Sequence, residues 1–544
     1  MEKKDYSFRG WLLVLTLIVA VAALSFVPSV KVFGLTTETV DILSDLRPVE
    51  EAEVSEKEAE FDASLSFIEL EQELAATQVE VVDSSQNIPP VRYEWIVVPD
   101  TISVRKEIIS EHIKVTPAEH SAPIEDFDTT GVSRFDRFIN KLIDGDDVRI
   151  AFLGDSYIEG DILSVDLREK LQAMFGGRGV GFVPCSLPFA IYRTSVKRSD
   201  SGFSSYSILK SGEVPSAHRN RFFISGYLSS GGRGATARWQ TTDLKPHLDS
   251  CSRARILLTC RDTCNIELTL NDTLKHNVGI SGADFVREIY VEAPVNSLKM
   301  RVNSGNVLCY GASFEGGRGV AVDNYSIRGN SGYAIFGTGA ATNCQLDKIL
   351  GYDLVILEYG LNAMQPGQRT FTKFQSKLCE MITYCERCFP DAAILVLGVS
   401  DRAVNEGGSW NSINSVKYML PVQREATKSC GATFWAMGDV VMSYGGVNGF
   451  VKNGWASSDH IHINFKGGSR IADALMQAIQ QRAYEILVTR EGRREDKYDD
   501  IALPIKSLQY NNILDRTLTV SDFDFSNPPM PEKVTVPETI TEKE

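Results

Sequence analysis

The feature that most constrains this chain is the run Val148-Arg-Ile-Ala-Phe-Leu153, which ends directly in Gly154-Asp155-Ser156 and is followed by a helical pattern over residues 162–174. A short apolar run bounded by a turn suits a strand buried on both faces, the usual state of a parallel strand. Three later runs have the same character: residues 353–359 (DLVILEY), 393–399 (AILVLGV) and 432–437 (ATFWAM), separated by helix-like segments. Upstream, Val132, Phe135, Phe138, Ile139 and Leu142 share one helical face, and residues 471–479 form a last amphipathic helix. Strands alternating with helices predict an α/β fold of three layers around a mostly parallel, flavodoxin-like sheet.

Between about residues 194 and 322 the period changes. Short alternating runs at 256–259, 266–270, 286–291, 298–302 and 307–314 are separated by turn signals such as Asn271-Asp272 and Ser304-Gly305. This predicts an all-β insertion, a β-sandwich over 195–322, set into an α/β domain made of 126–194 and 323–490. Such insertions are tolerated at loops whose ends lie close together.

The N-terminus bears on compartment. Lys3, Lys4 and Arg9 fall in residues 1–10, and residues 11–27 are almost wholly apolar, long enough to cross a bilayer at about 1.5 Å per residue. Residues 11–30 are therefore expected to be a transmembrane anchor or signal with a cytosolic N-terminus. The expected location is the inner membrane, single-pass, with the large α/β region extracytoplasmic, in the periplasm. Ala20-Val21-Ala22 keeps a cleaved, secreted form as the alternative. Residues 31–125, acidic around 48–58, read as an extracytoplasmic spacer with room for local strands at 79–82 and 95–98. Residues 491–544, with Pro528, Pro529, Pro531 and Pro537, read as a C-terminal tail.

Several function classes fall away. Lys plus Arg total 56 against 71 Asp plus Glu, a net charge of −15, so no broad basic field is available for nucleic acid. Gly177-Arg-Gly179-Val-Gly181 follows a helix pattern instead of a strand, which argues against a phosphate loop. Cys385 with Cys388, and Cys260 with Cys264, have no second pair at zinc spacing, so no metal and no cofactor is expected. Trp239 suits a β-domain core better than a sugar platform. Oligomeric state is not legible.

In an open parallel sheet the ligand crevice lies beyond the carboxyl ends of the strands. Gly154-Asp155-Ser156 ends the first strand, and Gly360-Leu361-Asn362 ends the next clear one. Of seven histidines only His460 and His462 lie beyond His276, in Ser458-Asp-His-Ile-His-Ile-Asn464 just before the last helix. Asp459 and His462 are three apart, a spacing at which one turn lets the carboxylate bond Nδ1 while Nε2 faces a serine. Taken singly each feature has a plainer reading: Gly-Asp-Ser is a common turn, Asn362 could cap a helix, and His460 reads as a neighbour of the base.

Taken together they resemble the SGNH, or GDSL-like, hydrolases. Gly154-Asp-Ser156 is similar to the nucleophile block, Gly329 in Asn324-Tyr-Ser-Ile-Arg-Gly329 to the glycine block, Gly360-Leu-Asn362 to the asparagine block, and Asp459-His-Ile-His462 to the terminal block. Ala363 stands where an acid often follows the asparagine, and Ile463 where a proline often follows the histidine. The layout, with its β-insertion, resembles peptidoglycan O-acetylesterases that carry an inserted carbohydrate-binding module. The resemblance implies a catalytic Ser156, Asp459 and His462, with an oxyanion hole from Ser156, Gly329 and Asn362. It implies a serine esterase acting on an acylated, extracytoplasmic glycan. The alternatives are a polysaccharide O-acetyltransferase with the same triad and a non-catalytic glycan-binding wall protein.

Overall fold

The computed structural model describes residues 89–97 and 120–490 apart from 188–192, 250 and 317, with four two-residue strand segments at 31–32, 35–36, 102–103 and 533–534. The chain divides into two compact units, Met1–Ser66 and Phe67–Glu544. In the first, Lys31–Val32 pairs with Leu35–Thr36; all that follows belongs to the second. The apolar run at 11–27 lies outside the described residues, among which no helix is long and apolar enough to cross a membrane.

Strands β1 (Val91–Ile96) and β2 (Ile124–Asp126) precede helix α1 (Arg134–Ile143). Ser133 caps α1 by accepting from the Asp136 N–H at 3.0 Å, and Phe135, Phe138, Ile139 and Leu142 form its buried face, as the spacing predicts. Strand β3 (Val148–Gly154) is buried at all seven positions and leads to α2 (Ser164–Phe175) and β4 (Arg178–Pro184). The all-β body continues through β5 (Val196–Ser207), β6 (Tyr227–Thr241), β7 (Cys251–Cys260), β8 (Cys264–Leu270) and β9 (Leu274–Ile280). It closes with β10 (Ala283–Val295), β11 (Ser297–Ser304) and β12 (Val307–Gly316).

The chain then returns through β13 (Val320–Ser326), α3 (Ala340–Leu350), β14 (Leu354–Glu358), α4 (Thr372–Cys388) and β15 (Ala393–Leu397). A hairpin of β16 (Ala403–Glu406) and β17 (Ser409–Ser412) precedes α5 (Val416–Ser429) and β18 (Thr433–Trp435). Two short helices, α6 (Met437–Ser443) and α7 (Gly446–Lys452), lead to the long α8 (Phe465–Arg490).

The α/β sheet has the order β13-β3-β14-β15-β18-β2, parallel except for the antiparallel edge strand β2. Helix α8 packs on α1 and α2, while α4 packs on α3 and α5, giving the expected three layers. The order is that of a flavodoxin-like sheet, and the reversal of strand order beside β3 places a crevice at the carboxyl ends of β3 and β14.

The ten remaining strands form one hydrogen-bonded sheet, β9-β8-β11-β6-β12-β7-β10-β1, with β5 along β6 and β4 along β12. Strand β6 joins its two halves: Thr236–Gln240 pair with β11, whereas Ser229–Gly231 pair with β12. Ile266, Leu268, Leu298 and Met300 from one half meet Ile256, Leu258, Ile289 and Phe314 from the other in a single core. That is the packed arrangement of a sandwich.

Two boundaries differ from the sequence expectation. Residues 178–184 belong to the all-β body, because they pair with β12, Gly181 opposite Phe314. The glycines there permit close strand approach: a Cβ on Gly179 would lie 2.2 Å from the Phe314 carbonyl oxygen. Residues 91–96, inside the expected spacer, pair in parallel with β10, Val91 opposite Arg287 and Ile96 opposite Glu292. Tyr93 and Trp95 pack on the sandwich core.

The two bodies are joined by a buried cation. Arg149 of β3 donates from Nε to Asp323 Oδ2 at 2.7 Å, from Nη1 to Glu315 Oε1 at 2.5 Å and from Nη2 to Ser313 Oγ at 2.7 Å. Asp323 lies on the α/β sheet; Glu315 and Ser313 lie on the sandwich. Arg149→Met should therefore cost about 3–5 kcal/mol, since it strands buried carboxylates. In the unaltered protein, denaturant unfolding followed by tryptophan fluorescence and by far-ultraviolet dichroism should give coincident transitions. Two separated transitions would show that the bodies are not coupled through this cluster.

Candidate active site

The turn after β3 depends on the absence of a side chain at Gly154, where a Cβ would stand 2.7 Å from Glu358 Oε2. Glu358, the last residue of β14, thereby reaches under the turn and accepts from the Asp155 N–H at 3.3 Å. Asp155 is fully buried, and its Oδ1 accepts from the Tyr157 N–H at 3.0 Å, a local turn that carries Ser156 over the strand end. Asp155 Oδ2 accepts from Asn362 Nδ2 at 2.8 Å, and the same nitrogen donates to the Asn330 carbonyl oxygen at 3.2 Å. Three loops are thus tied together: Ser156 follows β3, Gly329 and Asn330 follow β13, and Asn362 follows β14. Gly329 has φ +71°, and a Cβ built there meets nothing within 4 Å, so this loop faces open space.

Beneath the serine lie two buried carboxyl groups. Burial pushes Asp155 up to about 6. Burial, and then repulsion by Asp155, pushes Glu358 well above the carboxylate range. Of the two carboxyl groups, Glu358 is the one whose neutral form burial favours more.

A fourth loop carries Asp459 and His462. His462 Nδ1 pairs with Asp459 Oδ2 at 2.7 Å, while Asp459 Oδ1 accepts from the backbone N–H groups of Ile461 and His462 at 2.9 and 3.0 Å. Burial alone would raise the Asp459 carboxyl, but the bonds from the His462 ring and the two N–H groups hold it below its ordinary value. Tyr157, the residue after Ser156, donates its hydroxyl to the Ile461 carbonyl at 3.1 Å and is paired with Ser400 Oγ at 3.1 Å. The His462 ring is near enough to act on Asp155, opposing the rise in its pKa.

His460 faces elsewhere. Its ring stacks on Trp410 with centroids 4.0 Å apart and planes at 11°. Its Nδ1 pairs with Asn448 Oδ1 at 2.6 Å, and Asn448 Nδ2 donates to the Trp410 carbonyl oxygen at 3.0 Å. Trp410 remains 36% exposed on the β16–β17 hairpin, a held aromatic surface beside the Asp459–His462 loop.

The structure ties the turn that bears Ser156 to Asn362 and to the loop of Gly329 and Asn330, and through Tyr157 to the Asp459–His462 loop. It adds residues that the motifs do not announce: Tyr157, Asn330, Glu358 and Trp410. Of these only Glu358 leaves a sequence trace, as a carboxylate in an otherwise apolar strand run. Among the described residues no cluster of three metal-ligating side chains occurs. A cavity of about 660 Å³ opens at the opposite end of the sheet, lined by Arg178, Arg255, Glu315 and Asp353 among others. It is the charged seam between sheet and sandwich, remote from the serine.

No family model and no curated protein matches the sequence. Among solved structures, a peptidoglycan O-acetylesterase is similar over 66% of this chain and 99% of its own, at 20% identity and a TM-score of 0.55. A family two carbohydrate esterase from Cellvibrio japonicus is matched over 53% of this chain and 98% of its own, at 9% identity and a TM-score of 0.23. A carbohydrate-binding module from Clostridium stercorarium, solved with cellobiose, is matched over 26% and 97%, at 12% identity and a TM-score of 0.18. The first likeness establishes a shared fold; the other two are too distant to add to it.

Burial favours the neutral form of Glu358, so Glu358→Gln, neutral and of the same shape under Asp155, should change stability by less than about 1 kcal/mol. Glu358→Ala removes that group and opens a cavity, and should cost about 2–4 kcal/mol. Thermal unfolding of the two variants checks this. Equal losses would mean that Glu358 is ionised.

Proposed function

We propose that this chain is a serine esterase that removes O-acyl groups, acetyl in particular, from an extracytoplasmic polysaccharide such as peptidoglycan. The observation that carries the reading is the 2.7 Å Asp459–His462 pair, tied through Tyr157 to the turn that bears Ser156. A fold shared with a peptidoglycan O-acetylesterase supports it.

In the reaction His462 Nε2 takes the Ser156 proton as Oγ attacks the ester carbonyl. The same proton is then given to the departing sugar oxygen, leaving an acyl-enzyme. Water, deprotonated by His462, attacks the acyl carbonyl and releases the carboxylic acid. Asp459 fixes the ring with Nδ1–H toward itself and stabilises the imidazolium. The oxyanion is met by the backbone N–H groups of Ser156 and Gly329 and by the Asn362 amide, which must exchange Asp155 or Asn330 for the oxyanion. Trp410 suits a sugar ring, whose C–H face carries partial positive charge toward an aromatic face.

Export belongs to this reading, and the cysteines support it. Eight of the ten lie in four contacting pairs: Cys185–Cys309, Cys260–Cys264, Cys344–Cys388 and Cys379–Cys430. Cys251 and Cys385 are buried outside these pairs. Contacting thiols are readily cross-linked in an oxidising compartment and stay reduced in the cytosol. Each pair would pass two electrons to the disulfide of an exchange oxidant, which leaves as two thiols, and each would lose two protons.

Ser156→Ala should abolish acetate release from O-acetylated glycans while preserving thermal unfolding. Asp459→Asn should lower kcat by about 10⁴, and Asn362→Ala by about 10² to 10³. Undiminished release by Ser156→Ala eliminates the serine mechanism; acetyl transfer to a glycan without net release makes the chain a transferase. Mass spectrometry of protein from an oxidising compartment should find those four cross-links and two thiols, and a fully reduced chain would contradict export.

A further inference from the structure

The segment that leaves β15 runs through Ser400-Asp401-Arg402 into the β16–β17 hairpin, and its neighbours belong to the site. Ser400 Oγ pairs with the Tyr157 hydroxyl at 3.1 Å. The Ala403 N–H donates to the His460 carbonyl oxygen at 3.0 Å. Between these two ties, Arg402 Nη1 donates to the carbonyl oxygen of Leu361 at 3.3 Å, the residue before Asn362. The guanidinium therefore stands beside the Asn362 turn, on the flank that also carries the Asp459–His462 loop.

Its surroundings do not balance its charge. Arg402 is only partly exposed, and its Nε is buried with no hydrogen-bond partner. Burial lowers its pKa, and no carboxylate offsets the effect. The adjacent carboxylate turns away, since Asp401 Oδ2 accepts from Ser412 Oγ at 2.7 Å and from the Val447 N–H at 2.9 Å. Elsewhere Arg149, Arg168 and Arg255 each face a carboxylate, and buried Arg287, which faces none, is turned onto the Cys260 carbonyl oxygen at 3.3 Å, away from the serine turn. A half-buried cation without a counter-charge is costly to keep, and it is an arrangement that a bound anion relieves.

We propose that Arg402 binds a carboxylate of the substrate, so that the preferred glycan is acidic and carries a carboxylate close to the ester. The inference rests on the esterase reading above and narrows its substrate class. A guanidinium matches a carboxylate with two parallel hydrogen bonds, which fixes orientation as well as charge. A local cation beside the Asn362 turn gives an acidic glycan a defined seat against the long-range repulsion of a chain of net charge −15.

The test compares the full chain with Arg402→Gln and Arg402→Lys on three esters: 4-nitrophenyl acetate, O-acetylated cello-oligosaccharide and O-acetylated oligogalacturonate. The unaltered protein should prefer the galacturonate to the neutral oligosaccharide. Arg402→Gln should lower kcat/KM for the galacturonate about 10- to 100-fold, chiefly through KM, as for loss of a charge-assisted hydrogen bond. The neutral oligosaccharide and the small ester should stay within about twofold, and Arg402→Lys should recover part of the loss. Equal losses on all three esters, or no preference for the acidic one, overturn the proposal. Calorimetry of deacetylated oligogalacturonate on Ser156→Ala, with and without Arg402→Gln, reads the carboxylate site without turnover. If that binding depends on Arg402 while no ester is cleaved, the esterase reading fails and the carboxylate site stands.

Discussion

A guanidinium taken out of water must be met by charge, and the burial of Arg149 organises much of what surrounds it. Its acids come from both bodies, Asp323 from the sheet and Glu315 from the sandwich. Glu315 is shared with Arg255, Arg255 with Glu288, and Glu288 with Arg92 of β1. The line of alternating charges thus runs from the α/β sheet across the sandwich to a strand far back in the chain. Tyr325 and Tyr352 donate to Asp323 at 3.1 and 2.8 Å, so its carboxylate is fully engaged. The strand that begins beside this cluster is the one that ends at Ser156.

The far end of that strand is governed by acids. Asp155 and Glu358 lie buried together under the serine, both pKa values raised, and Asp161 forms a second buried centre just beyond them. Asp161 sits at φ +72°, an uncommon conformation for a residue with a Cβ. It is held there by Arg168 and Arg193, by Asn324 Nδ2 at 2.9 Å, and by the hydroxyls of Ser164 and Ser195. Its carboxyl lies far below the usual range: burial opposes this, but the two arginines and the serine hydroxyls outweigh it. One carboxylate thus fastens the turn after the serine, helix α2 and the segment leading into β5.

The candidate blocks were legible because polar residues at strand ends interrupt apolar runs, and Asp459 with His462 needs only three residues of local chain. The strands of the sheet and most of the sandwich were legible for the same reason of period. What escaped depends on partners distant in sequence. Val91–Ile96 overlaps the local strand allowed at 95–98, yet its partner begins nearly two hundred residues later, which no local pattern reveals. The glycines near residue 179 argued against a phosphate loop, but only the Phe314 carbonyl shows what they are for. Tyr157 and Trp410 look ordinary in sequence, and their interest arises from Ile461 and His460, which only the fold brings to them. Arg402 is legible only by what it lacks.

The antiparallel pairing of β4 with β12 has a consequence for how the chain reaches this state. Strands β3 and β13 are neighbours in the sheet although Arg149 and Asp323 are 174 residues apart. Closing a flexible loop of that length costs about 2.5 kcal/mol more than closing one of ten residues. If the sandwich forms first, β4 and β12 already hold its two ends together, and β3 and β13 meet across what is effectively a short loop. The order of assembly then favours the inserted body before its host, so the turn that bears Ser156 acquires its surroundings only after the sandwich has folded.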